Sequence, residues 1–123
     1  MRVGENLLVD GGVCEPGAQL TLPEPVAPAV PAAIKALSDP TRVRIVQILA
    51  ANGSVCACDL EEPLGLSQPT VSHHLRQLLK AGLVERDKRG TWAFYRVSSG
   101  ALAGVATAIG ALVPAGAGSA SSA

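Results

Sequence analysis

The sequence predicts a mainly α-helical domain closed by a single β-hairpin, an α+β unit. Two observations carry that prediction. Ser67 to Lys80 is an amphipathic run at helical period, and Leu83 to Val97 reads as two short strands around a polar turn. Further helical segments on either side are bounded by their own start and stop signals. At 123 residues the chain supports one small domain plus tails. The apolar share is 48%, but much of it is alanine in flanking segments, so the core is modest and gains from dimerisation.

Residues 1–25 contain Gly and Pro without a sustained period and read as a flexible arm carrying Cys14. The domain is placed at 26–114, and residues 115–123 read as a disordered tail. Pro28 and Pro31 allow a first helix from about Pro31 to Leu37, or one with an earlier start. Ser38-Asp39-Pro40 is a stop followed by a start, with Asp39 as cap and Pro40 first in the next helix. That helix reaches about Ala51, with Val43, Val46, Ile48 and Leu49 mostly inward, and Asn52-Gly53 ends it. A short helix from about Cys58 to Leu64 follows, with a turn at Gly65.

In the central helix Ser67 is placed to cap, and Pro69 lies in the first turn, where its missing N–H costs nothing. At about 100° per residue, Val71, Leu75, Leu78 and Leu79 share one side. Pro69, His73, Arg76, Gln77 and Lys80 share the other, which holds donors and no carboxylate. Gly82 is the expected C-terminal stop. Alone, this pattern also fits an ordinary solvated helix face.

The hairpin decides between these readings. Its strands are expected at Leu83–Arg86 and Trp92–Val97, with Asp87-Lys88-Arg89-Gly90 as the turn. The chain's single Trp, Phe and Tyr all lie in the second strand. A basic hairpin directly after such a helix is the wing of a winged helix-turn-helix, set to touch DNA backbone beside the major groove. Residues 67–97 carry Arg76, Lys80, Arg86, Lys88, Arg89 and Arg96 against Glu85 and Asp87, a balance of +4 on a chain of net charge zero. A local basic patch suits a specific regulator that must release DNA. The candidate DNA contacts are Ser67, Gln68, Pro69, Thr70, Ser72, His73, Arg76, Gln77 and Lys80 on the helix, with Lys88 and Arg89 on the wing. His74 lies at the edge of that face, and the two histidines point about 100° apart, which suits DNA contact or packing rather than a shared metal.

Ser98 is expected to cap a last helix, Ser99 to Val113. Its face of Leu102, Val105, Ile109 and Leu112 has no counterpart in so small a core and reads as a dimer seam, joined by the first helix. No secretory leader pattern is present, and the stretch Ala101 to Val113 is too short to span a bilayer, so a cytoplasmic chain without membrane association is expected.

From about Ile34 to Val97 the chain resembles the ArsR/SmtB family of metal-responsive repressors. The resemblance rests on KALSDPTRVRIVQIL, VCACDL, GLSQPTVSHHLRQLLKAGLV and the wing. It implies a homodimeric repressor that leaves an inverted-repeat operator in double-stranded DNA when an inducer binds. The CxCDL stretch further resembles the arsenic- and cadmium/lead-sensing branches. A second family site on the last helix uses His, Asp and Glu, and residues 98–123 hold none of these.

Cys56 and Cys58 would point about 200° apart in a regular helix, a poor geometry for one ion. At a helix start, where the backbone is partly extended, both can turn toward one ligand, and free amides there favour thiolates. Soft thiolates select Cd(II), Pb(II), Zn(II) and, by the same chemistry, trivalent arsenic. Cys14 is the expected third ligand. Three thiolates suit the trigonal pyramid of As(III) or Sb(III) as inducer. Cd(II) or Pb(II) would often recruit a fourth ligand, for which Glu15 is available. The resembling cadmium/lead sensors carry two cysteines on the arm; this arm has one, which shifts the reading to arsenic. Two alternatives stay open: cysteines that are merely small buried residues, and a thiol redox switch in which Cys14 pairs with either partner. An enzyme is not expected, because no histidine base stands apart from the DNA face and no paired-carboxylate or phosphate-loop pattern occurs.

Overall fold

The computed structural model describes Gly17 and residues 19–116; Cys14 lies outside the described residues. Helix α1 spans Ala29–Ala36 and α2 spans Pro40–Asn52. Strand β1, Val55–Cys56, leads into a 3-10 turn, Ala57–Leu60, and helix α3, Glu61–Leu64. Helix α4 spans Gln68–Lys80, strands β2 and β3 span Val84–Arg89 and Trp92–Val97, and α5 spans Ser99–Gly110. The sheet order is β1-β3-β2, antiparallel throughout. This is a winged helix-turn-helix: α4 supplies the exposed helix and β2–β3 the wing.

Local chemistry accounts for the ends. Asp39 is the N-cap of α2, accepting hydrogen bonds from the Thr41 and Arg42 amides at 2.7 and 3.3 Å. Burial pushes its carboxyl up, but those amides and the charge of Arg42 outweigh that and hold it below the usual carboxylate range. Gly82 has φ +77°, the Leu83 amide donates to the Leu78 carbonyl and the Gly82 amide to Leu79, closing α4 as a Schellman motif. Gly65 does the same for α3, with φ +65° and the Leu66 amide donating to Glu61.

One core joins the elements. Ile45, Leu49, Leu60, Val71, Leu75, Leu78 and Leu83 are its large, fully buried members. Val84, Tyr95 and Val105 complete it from the wing and α5. Burying each such side chain contributes roughly 1.5–3 kcal/mol.

Helix α1 takes the earlier start, at Ala29, with Pro31 inside its first turn. Several expectations are corrected. Val43 is 40% exposed, and Ile45 takes the inward position in α2. The two lie about 200° apart on a helix phased by Pro40, so both cannot face the core. The segment before α4 holds a strand and a 3-10 turn instead of one helix from Cys58. Pairing in the wing runs on to Arg89↔Trp92, leaving Gly90-Thr91 as the loop. Positive φ at Gly90 and not at Thr91 is the type II′ pattern, which matches hairpin twist. Neither Ser67 nor Ser98 makes a side-chain cap bond; the Ser67 hydroxyl meets Thr70 Oγ1 at 3.1 Å instead. Helix α5 stops at Gly110, three residues short of Val113, which precedes Pro114 and is biased away from helix. Val105 is buried within the chain against α1, while Ile109 and Leu112 stay 49% and 76% exposed.

Candidate thiol site and nucleic-acid interface

Cys56 ends β1 with an extended backbone (φ −69°, ψ 137°), and the chain then tightens into the 3-10 turn. That change of conformation is what turns the two side chains together. Cys56 Sγ and Cys58 Sγ lie 2.8 Å apart. Cys56 is buried and Cys58 exposed. Sharing a proton with Cys56 is the main reason that the Cys58 thiol is pushed up to about 11, with burial and the charge of Asp59 adding to it. The expected lowering by free amides does not prevail at Cys58: in contact with Cys56, its thiol holds its proton until something displaces it. Asp59 Oδ1 is 3.9 Å from Cys58 Sγ.

The donor set fits a soft, thiophilic centre. Metal–sulfur bonds of about 2.3 Å at tetrahedral angles need sulfurs about 3.7 Å apart. The pair must therefore open by about one ångström, a movement that exposed Cys58 can make. No cluster of three or more His, Cys, Asp or Glu occurs among the described residues, so these two sulfurs are the described part of the site.

The thiols are placed against both α4 and the wing. Register in the sheet sets Cys56 opposite Phe94 and Val55 opposite Tyr95. A cavity of about 350 Å³ is lined by Cys56 and Cys58, by Gln68 and Ser72 of α4, and by Trp92 and Tyr95 of β3. The strand that joins thiols to wing leaves only a two-residue apolar–Cys signal, which is why the sequence did not disclose it.

On α4, Ser67, Gln68, Pro69, His73, Arg76 and Lys80 are exposed, while Thr70, Ser72 and Gln77 are half-buried. Gln68 Nε2 donates to Ser72 Oγ at 3.3 Å, holding the first exposed turn in one arrangement. At the wing tip Arg89 Nε donates to Asp87 at 3.0 Å, and its guanidinium sits 4.5 Å over the Phe94 ring. Lys88 is exposed beside it. Arg96 pairs with Glu85 at 2.7 Å as Arg89 does with Asp87, so the wing's net positive charge rests on Arg86 and Lys88.

His74 turns out to be a packing residue. Arg42 Nη1 donates to His74 Nδ1 at 3.2 Å, and Arg42 Nε donates to the Ala36 carbonyl at 2.6 Å. Arg42 thereby ties the end of α1 and the start of α2 to the middle of α4. Its role was missed in the sequence, because nothing local distinguishes it from a solvated arginine.

Comparison with known proteins places this arrangement. Residues 39–86 match the family described as bacterial regulatory protein, arsR family. The chain is 52% identical over 63 residues to an uncharacterised HTH-type transcriptional regulator of Methanocaldococcus jannaschii, covering 51% of this chain and 71% of that protein. It is 45% identical over 64 residues to the arsenical resistance operon repressor of Escherichia coli, covering 52% and 55%. It is 43% identical over 61 residues to a cadmium resistance transcriptional regulatory protein homologue of Staphylococcus aureus, covering 50% of each. The chain thus spans about half the length of these two resistance regulators. Among solved structures, the homodimeric winged helix-turn-helix DNA-binding domain of a possible ArsR-family regulator from Mycobacterium bovis superposes with a TM-score of 0.56 at 28% identity, over 68% of this chain and 78% of that one. With this fold, and with α2 to the first half of β2 inside the matched segment, the chain belongs to the ArsR family of bacterial regulatory proteins.

Proposed function

We propose that the chain is an operator-binding repressor that releases DNA when Cys56, Cys58 and Cys14 take up As(III) or Sb(III). The observation that carries this reading is the 2.8 Å contact of two sulfurs in a cavity shared with α4 and β3. Trivalent arsenic or antimony, when bound, supplies stable bonds to sulfur in place of the thiol protons. Every other part belongs to the chain. Cys56 holds one sulfur fixed on the sheet, and exposed Cys58 swings to open the pair. Cys14, on the arm, is the third thiolate in this reading.

For DNA, the exposed face of α4 enters the major groove. Ser67, Gln68, Pro69, Thr70, Ser72, His73, Arg76, Gln77 and Lys80 are the proposed helix contacts, and Lys88 and Arg89 those of the wing to backbone phosphates. A second copy completes the regulator. Val26, Val30, Ile34, Ala108, Ile109 and Leu112 line an apolar cleft between α1 and α5, with Ile109 and Leu112 exposed, and this face is the proposed seam. Two copies present two α4 helices to an inverted repeat.

A second reading has support of its own. One similar protein is a cadmium resistance regulatory protein homologue, and the same thiols with Glu15 as an oxygen ligand would suit Cd(II), Pb(II) or Zn(II) better than arsenic. Titrating operator release with As(III), Sb(III), Cd(II), Pb(II), Zn(II) and peroxide separates the readings. Release by As(III) and Sb(III) at the lowest concentrations is expected. Release by Cd(II) or Pb(II) alone would move the assignment to the second reading, and release by peroxide alone would make the thiols a redox switch.

A further inference from the structure

We infer that the cavity beside the thiol pair is a subsite for the organic substituent of a monosubstituted trivalent arsenical, with an aromatic ring seated against Trp92. This deepens the thiol-site reading above and rests on it. Inorganic arsenite needs three sulfurs to fill its three bonds. An aryl arsenical already spends one bond on carbon and needs two, the number that Cys56 and Cys58 supply together.

The carbon substituent must then have somewhere to go. The 350 Å³ cavity is open to both thiols and is walled by Trp92 and Tyr95, ample for one ring. Tyr95 is buried, while Trp92 is 56% exposed, an unusual position for the chain's single tryptophan unless its face is used. Aromatic pairs prefer offset or edge-to-face packing and reward it beyond area burial. A larger cavity, about 520 Å³, also has apolar lining from Ile48, Val55 and Phe94, but it touches Cys56 alone and lacks the second thiol that a two-bonded arsenical needs.

The step balances without an oxidant. Phenylarsine oxide and two thiols give a cyclic phenyl dithioarsinite and water. The arsenic–oxygen bond breaks, two arsenic–sulfur bonds form, both thiol protons leave with the oxygen, and arsenic stays trivalent. The ring so placed also meets Gln68 and Ser72, which belong to the DNA-facing helix. An aryl arsenical should therefore release operator at lower concentration than arsenite.

The test uses the full reduced chain, with affinities read by displacement with a competing small dithiol and by Trp92 fluorescence. Phenylarsine oxide should quench Trp92 and bind Cys14→Ser at least tenfold more tightly than arsenite does. Trp92→Ala should lose about tenfold for phenylarsine oxide and nothing for arsenite, while Trp92→Phe keeps most of the preference. Unchanged phenylarsine oxide affinity in Trp92→Ala, or equal losses for both arsenicals, overturns the subsite and leaves the thiol site standing. Failure of both arsenicals to bind the wild type overturns the thiol site and the subsite with it.

Discussion

Cys56 stands directly opposite Phe94 across the β1–β3 ladder, and the Arg89 guanidinium lies 4.5 Å over that same Phe94 ring. One aromatic residue thus separates the buried thiol from the cation at the wing tip. The arrangement follows from register. Val55 pairs with Tyr95, whose side chain is core, and this fixes Phe94 against Cys56. Under the proposed function, a change in the thiol pair acts first on the strand that carries the wing. For an inducer to act, it must bind the DNA-free arrangement more tightly, with each tenfold preference worth about 1.4 kcal/mol of release.

Phe94→Leu should therefore uncouple binding from release. Thiol affinity for arsenite should stay near wild type, because the sulfurs are untouched. The operator should be released less completely, with the arsenite-induced loss of DNA affinity reduced severalfold. Parallel arsenite-binding and operator-binding titrations check this; full release by the variant would show that Phe94 carries no coupling.

The shared thiol proton makes a pH prediction. Cys58 is raised to about 11, so its thiolate forms only as pH rises toward that value. Site-resolved alkylation of Cys58 should climb through pH 9 and 10 rather than level off near 9. Cys56→Ala removes the main cause of the shift, and alkylation of Cys58 at pH 8 should then rise roughly tenfold or more. A wild-type plateau below pH 9 would contradict the contact between the two thiols.

Much of the fold was legible because strong local signals agree with tertiary packing. Asp39-Pro40 starts α2 and Gly82 stops α4 as expected, and Val71, Leu75 and Leu78 are buried as their spacing requires. What stayed hidden depends on partners distant in sequence. Strand β1 is two residues long and exists only because β3 pairs with it. Ile45 against Val43 is a question of helix phase that an apolar-rich stretch does not answer. The Ser67 and Ser98 hydroxyls had correct positions but found other partners or none. At the thiol site, the pairing of Cys56 with Cys58 followed from an extended helix start, whereas the aromatic wall facing them came from the sheet register.

Gly65 joins the thiol segment to α4 with φ +65°, and an added Cβ there would meet nothing within 4 Å. The cost of Gly65→Ala is thus conformational, about 1 kcal/mol. For a domain of this size that lowers Tm by about 4–8 °C. Gly65→Asn, which tolerates the left-handed region better, should lose less; thermal melts of both variants distinguish backbone strain from packing loss.

The proposed DNA contacts divide by role. Gln68→Ala or His73→Ala should weaken operator binding by about 1–3 kcal/mol and non-specific binding little. Lys88→Ala together with Arg89→Ala should weaken both and reduce the slope of log affinity against log salt by about one to two. Fluorescence anisotropy on operator and scrambled duplexes over a salt series reads both effects. Wild-type operator affinity in all three variants would place the DNA face elsewhere.

In the proposed function Cys56 and Cys58 sense and do not build the DNA-binding surface. Operator affinity of wild type, Cys56→Ser and Cys58→Ser, measured with and without arsenite, separates the two roles. Both variants should bind operator within about twofold of wild type, the range of substitutions outside a binding surface. Arsenite should release the wild type alone. A folded variant that loses operator binding, or one that arsenite still releases as fully as the wild type, would contradict it.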